Sequence, residues 1–142
     1  MNFSVLFLLS NKFVLTGWLL LLIAPKWKYT SRISTYICVL MLSVIYSIII
    51  IHSLSGFDWR SFSTLQNVRK LFQSDEALLA GWIHYLAFDL FMGVYILKQT
   101  QELKISHLFN LFLLPLTFLF GPLGYTVFMS IKIYKSKNET HY

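Results

Sequence analysis

Residues 77–97 read ALLAGWIHYLAFDLFMGVYIL. The stretch holds no proline and only His84 and Asp89 as strongly ionisable groups, and at 1.5 Å per residue it is long enough to cross the roughly 30 Å hydrocarbon core of a bilayer. It therefore reads as a transmembrane helix. Ser74 stands before it as a candidate N-cap, and Asp75 and Glu76 place negative charge where the helix dipole favours it.

Three more apolar runs flank this one, at 3–24, 33–53 and 105–131. The first is interrupted by Ser10, Asn11 and Lys12 and ends at Pro25, where Trp27 and Tyr29 alternate with Lys26 and Lys28 as an interfacial belt does. No small-residue cleavage site follows Ala24, so this run is expected to be retained. The last run contains Pro115, Gly121, Pro122 and Gly124. Each proline frees the carbonyl four residues earlier, at Leu111 and Phe118, and those carbonyls need new partners away from water. Between runs two and three, Phe62, Leu65, Val68 and Phe72 recur at helical spacing beside Arg69 and Lys70, with Ser63 and Gln66 as a capping box. This predicts a short amphipathic helix lying on the membrane.

The expected fold is thus an all-α membrane protein: a four-transmembrane-helix bundle with one interfacial helix, occupying residues 1–142 as a single domain. Hydrophobic residues make up 56% of the chain and charged residues 13%, about half the charged share of a soluble domain. The net charge of +6 sits at the ends of apolar runs, which points to anionic headgroups and away from nucleic acid. Cys38 is the sole cysteine and excludes an internal disulfide. No phosphate-binding glycine loop, nucleophile elbow or metal-ligand spacing is present, so neither a cofactor nor a metal is expected. Lys and Arg totals nearly balance across a four-span bundle, a reading that leans to both termini in the cytoplasm.

Ionisable groups inside a membrane mark function by default. On a helical wheel Ile83, Leu86, Leu90, Val94 and Leu97 form one aliphatic stripe, which is expected to face lipid. His84 and Asp89 then face the bundle, about 140° apart, flanking a pocket filled by Gly81, Tyr85, Phe88 and Met92. They are the candidate catalytic acid and base. Asn11, Trp18, Gly81, Trp82, Tyr85, Phe88, Asn110 and Gly121 are the candidate substrate-binding residues, with Asn11, Tyr85 and Asn110 orienting the substrate. Tyr36, Ser43 and Ser47 share one face of the second run, Ser43, Ser47 and Thr117 read as interhelical hydrogen-bonding glue, and His52 and His107 read as interfacial.

The run AGWIHYLAFDLFMG, Ala80 to Gly93, resembles the signature of the abscisic-acid-deficient-four-like family of small membrane proteins, also called neoxanthin synthase-like. FGPLG, Phe120 to Gly124, is similar to that family's last span, and Trp18, Pro25 and Trp27 give a third, weaker match. The family commonly carries a basic residue after the glycine matching Gly93, where this chain has Val94. The resemblance implies four spans and, for the plant members, conversion of violaxanthin to neoxanthin, a carotenoid isomerisation. It suggests a cofactor-free isomerase of a carotenoid, isoprenoid or other apolar lipid, in a bacterial inner membrane because no transit sequence leads the chain. The alternatives are a non-catalytic subunit organising partner enzymes, or a small proton or solute conduit. Expected partners are membrane lipid and an apolar substrate, with self-association or a membrane-enzyme partner.

Overall fold

The structure, a computed structural model, describes residues 2–53 and 58–139, and every element among them is helical. Helix α1, Phe3–Ile23, is capped by Asn2, whose side chain accepts from the Val5 amide at 3.2 Å. Pro25 follows its last turn, and the Thr30 hydroxyl reaches back to the Ala24 carbonyl at 2.5 Å to begin α2, Thr30–Ser53. Ser34–Val39 within α2 is wound as a π-helix. After the undescribed residues 54–57 come a 3₁₀ turn, Trp59–Phe62, and a short helix α3, Leu65–Leu71. Thr64, not Ser63, caps α3, accepting from the Asn67 amide at 3.2 Å. The Ser63 hydroxyl is instead used on the Arg60 carbonyl at 2.7 Å, closing the preceding turn.

Helix α4, Asp75–Glu102, contains the decisive stretch and runs a turn beyond it. Ser74 occupies its N-cap but makes no side-chain cap bond. In its most apolar window 50% of the residues are buried, against 28% in α1 and 22% in α2, so α4 is the central helix of the bundle. Its C-terminus closes with Ile105 N–H on the Thr100 carbonyl and Lys104 N–H on the Gln101 carbonyl, the paired bonds of a Schellman ending. Lys104 takes the left-handed position there at φ 52°, a conformation that costs a side-chain-bearing residue about 1 kcal/mol and normally selects glycine.

Contacts along α4 fix the direction of every neighbour. Helix α1 runs parallel to it, pairing Phe7 with Trp82 and Gly17 with Leu90, while Gln101 donates to the Pro25 carbonyl. Helix α2 runs antiparallel, with Tyr46 beside His84 and His52 3.6 Å from Glu76. Small residues set the α1–α2 approach: Ser34 donates to the Gly17 carbonyl at 3.3 Å, and buried Cys38 lies 3.7 Å from the Thr16 hydroxyl.

The expected fourth span is not one helix. It is broken at Phe120 into α5, His107–Leu119, and α6, Gly121–Glu139. Helix α5 runs antiparallel to α4, from Asn110 beside Thr100 to Phe118 and Leu119 beside Tyr85. Helix α6 then returns, from Gly121 at Asp89, through Tyr125 and Phe128 at Tyr95, to Lys132 bonded to Gln99 and Lys135 bonded to the Leu103 carbonyl. The two form a hairpin whose tip stands near the middle of α4. Three helices, α1, α2 and α4, are long and apolar enough to cross a membrane, and α5 is a shorter apolar helix.

The expected lipid face of α4 is its packed face. Ile83, Leu90 and Leu97 are 0% exposed, and Leu86 and Val94 3%. His84 and Phe88 are exposed on the outside, as is Tyr36 on α2. Lipid tails are as apolar as a protein core, so hydrophobicity alone does not distinguish the two environments; close packing does. Ser43, Ser47 and Thr117 are not interhelical glue either. Each donates to the carbonyl four residues earlier in its own helix, at 2.8–2.9 Å, the nearest acceptor available.

Candidate functional site

Asp75, Leu78, Trp82, Tyr85 and Asp89 repeat at three and four residues and so form one face of α4. Along the first half of this face an apolar groove of about 520 Å³ lies between α1 and α4, walled by Phe3, Phe7, Leu8, Leu78, Leu79 and Trp82. The Trp82 ring lies 5.7 Å from Phe7 and 5.4 Å from Tyr85, which carries the aromatic wall down toward the hairpin. The Trp82 Nε1 donates to Asn11 Oδ1 at 3.0 Å, so the polar interruption of α1 is spent on fixing this indole.

The hairpin tip meets the same face one turn lower. Tyr85 donates its hydroxyl to the carbonyls of Phe118 and Leu119, at 3.0 and 3.1 Å. The Phe118 carbonyl is the one Pro122 was expected to free, and a phenol from α4 supplies its partner. Gly121 is buried directly against the Asp89 carboxylate, and any added Cβ there would overlap Oδ1. Asp89 Oδ2 is buried with no hydrogen-bond partner among the described residues. Tyr85→Phe should leave both carbonyls unpaired and lower stability by about 1 kcal/mol, measured by thermal unfolding in detergent.

The expected site residues separate into four places. Asn11, Trp82, Tyr85, Asp89 and Gly121 gather at the groove and hairpin tip, and buried Trp18 supports the tip from beneath, packing edge-on to Phe118 at 5.4 Å and against Gly93. His84 does not share a pocket with Asp89. It faces outward between Phe88, stacked on it at 4.6 Å, and Tyr46 at 5.5 Å, because the aliphatic stripe of α4 is its packed face. Gly81 belongs to neither group; it receives the Phe72 ring that follows α3.

Asn110 lies at the other end of the bundle, bonded to Thr100 at 2.9 Å. Asn11 is bonded at Trp82, so the two asparagines are held at α4 positions about 27 Å apart along the helix axis. They cannot orient one small substrate together. The groove residues Phe3, Phe7 and Leu78 had no distinguishing sequence signal, since each is one apolar residue among many. A group of three or more His, Cys, Asp or Glu side chains able to hold a metal does not occur among the described residues.

A model of the ABA4-like family, described as ABA DEFICIENT 4-like, matches residues 5–128, from α1 into the first half of α6. No curated protein and no solved structure matches the chain. The match covers most of the chain, including Phe7, Leu8, Leu78, Leu79 and Trp82 of the groove, Tyr85, Asp89 and the hairpin tip, and the apolar helices fit a membrane bundle: the chain belongs to the ABA DEFICIENT 4-like family.

Proposed function

We propose that the protein is a cofactor-free intramembrane isomerase of a carotenoid, isoprenoid or similar apolar lipid. The single observation that carries this reading is the unpartnered carboxylate oxygen of Asp89, held at a helix break below an aromatic groove. The apolar part of the substrate lies in the groove against Phe7 and Trp82, and its reacting end reaches the hairpin tip. Three spans and a re-entrant hairpin form the membrane domain, and the short helix α3 rests at the interface, supported by exposed Phe62 and Leu65 beside Arg69 and Lys70.

Conversion of an epoxide to an allenic alcohol illustrates the chemistry. The C–O bond breaks with its electron pair on oxygen, which takes a proton, while a nearby C–H bond gives its pair to the new double bond and its proton to a base. Atoms and electrons balance within the substrate. Asp89 is the base, and Tyr85, one turn away on the same face and oriented by two carbonyls, is the second proton-carrying group. His84 has no part in this step.

The test compares apolar lipids extracted from cells with and without the protein. An isomer of unchanged mass and altered chromatographic retention should appear only with the protein. Identical lipid profiles, with the protein present and folded in the membrane, would overturn the reading. They would favour a partner-organising subunit, which the exposed aromatic face of Phe88 and Phe91 could serve.

A further inference from the structure

At the end of the bundle opposite the groove, a cavity of about 560 Å³ lies between the α1–α2 turn, the end of α4 and the start of α5. Lys26 and Lys104 line it, as do Ser106, His107 and Asn110. Asn110 is 1% exposed. Its amide orientation is determined, because the Thr100 hydroxyl gives its hydrogen to the Leu97 carbonyl at 2.9 Å and so can only accept from Asn110 Nδ2. Oδ1 is therefore the atom left over, buried and without a partner among the described residues.

His107 repeats the pattern. Its Nε2 lies 3.0 Å from the Leu22 carbonyl, which only accepts, so Nε2 carries the hydrogen and in the neutral ring Nδ1 is an acceptor. Nδ1 is likewise buried and unpartnered among the described residues. Two residues that line the cavity thus each keep an unused buried acceptor, and two lysines line it beside them. Lys104 reaches it from a left-handed backbone position that glycine would occupy without strain.

We propose that this cavity binds the headgroup of an anionic phospholipid bearing free hydroxyls, of the glycerol type. Lys26 and Lys104 hold the phosphate, and Asn110 Oδ1 and His107 Nδ1 accept from the hydroxyls. A phosphodiester without hydroxyls leaves both acceptors unsatisfied, and a neutral polyol leaves both cations unmatched. The neighbouring cleft carries Lys28, Arg32 and Lys98, which extends the positive field around the same end.

The experiment uses the full-length protein in phosphatidylcholine nanodiscs doped with dioleoyl-phosphatidylglycerol or dioleoyl-phosphatidic acid, with bound lipid read by native mass spectrometry. Phosphatidylglycerol should be retained over both other lipids. Lys104→Gly should weaken its retention about fivefold, as expected for one cation near a headgroup, while the unfolding temperature stays level or rises. Asn110→Leu should erase the preference over phosphatidic acid. Equal retention of phosphatidylglycerol and phosphatidylcholine, or unchanged retention in Lys104→Gly, would overturn the proposal. Equally tight binding of sn-glycerol 3-phosphate would assign the site to a soluble ester and overturn the lipid assignment.

Discussion

Asp89→Asn is expected to lower lipid turnover by a factor of about 10² to 10⁴, the usual contribution of a positioned acid or base, while the protein still inserts and folds. The amide matches the carboxylate in size, so the contact with Gly121 is preserved, and what disappears is the capacity to exchange a proton. Turnover should be measured by the conversion of extracted lipid, beside thermal unfolding of the same preparation. A variant with wild-type turnover would remove Asp89 from the chemistry, and an unfolded one would assign the carboxylate to structure. His84→Ala is the contrasting case. Its ring is on the outer surface against Phe88 and Tyr46, and its loss should change turnover by about twofold or less.

Gly124→Val should open the hairpin. A Cβ at Gly124 would come within 2.6 Å of the Thr117 Cα as well as meeting its side chain, so the obstruction is backbone and no rotamer change relieves it. Overpacking of this kind costs about 3 kcal/mol, at the upper end of its range because α5 and α6 must separate. The expected result is a lower unfolding temperature together with lost lipid conversion, as the tip carrying Gly121 withdraws from Asp89. Gly17→Ala provides the control: its added Cβ meets chiefly the flexible methyl groups of Leu90, which can turn aside. Equal stability of Gly124→Val and wild type would show that the two helices do not depend on this close approach.

What the sequence disclosed follows from what a membrane helix must satisfy. That residues 77–97 are one helix with Asp75 and Glu76 in its first turn was legible, though its last turn to Glu102 was not, and the demand of the Phe118 carbonyl for a partner was legible from Pro122. The sense of α4 was not. An aliphatic stripe of Ile83, Leu90 and Leu97 is equally content against lipid or against α1 and α2, and burial of the side chains of neighbouring helices, not hydropathy, decided between them. The hairpin was hidden for a related reason. Residues 105–131 have the length and apolarity of one span, and a Gly-Pro-x-Gly break announces a bend without fixing its angle. Asn11 and Asn110 looked alike as polar interruptions, yet each is satisfied by a different partner at an opposite end, Trp82 and Thr100, and no spacing encodes which.

The hairpin also makes the bundle unequal from one leaflet to the other. Because α5 and α6 enter and leave at the same end, a fourth and a fifth helix occupy only the half below the tip, and in a bilayer the groove above it is expected to open sideways to a single leaflet. Returning α6 carries Lys132, Lys135 and Lys137 to the end that already holds Lys26, Lys28, Arg32, Lys98 and Lys104, so eight of the twelve basic side chains gather there. By the positive-inside rule that end is expected in the cytoplasm and the groove in the outer leaflet, which replaces the expectation of two cytoplasmic termini, because α1 begins at the groove. A membrane-impermeant thiol reagent on intact cells should label a cysteine placed at Arg60 and spare one placed at Tyr134, in a Cys38→Ser background. The reverse pattern would draw the substrate from the inner leaflet instead.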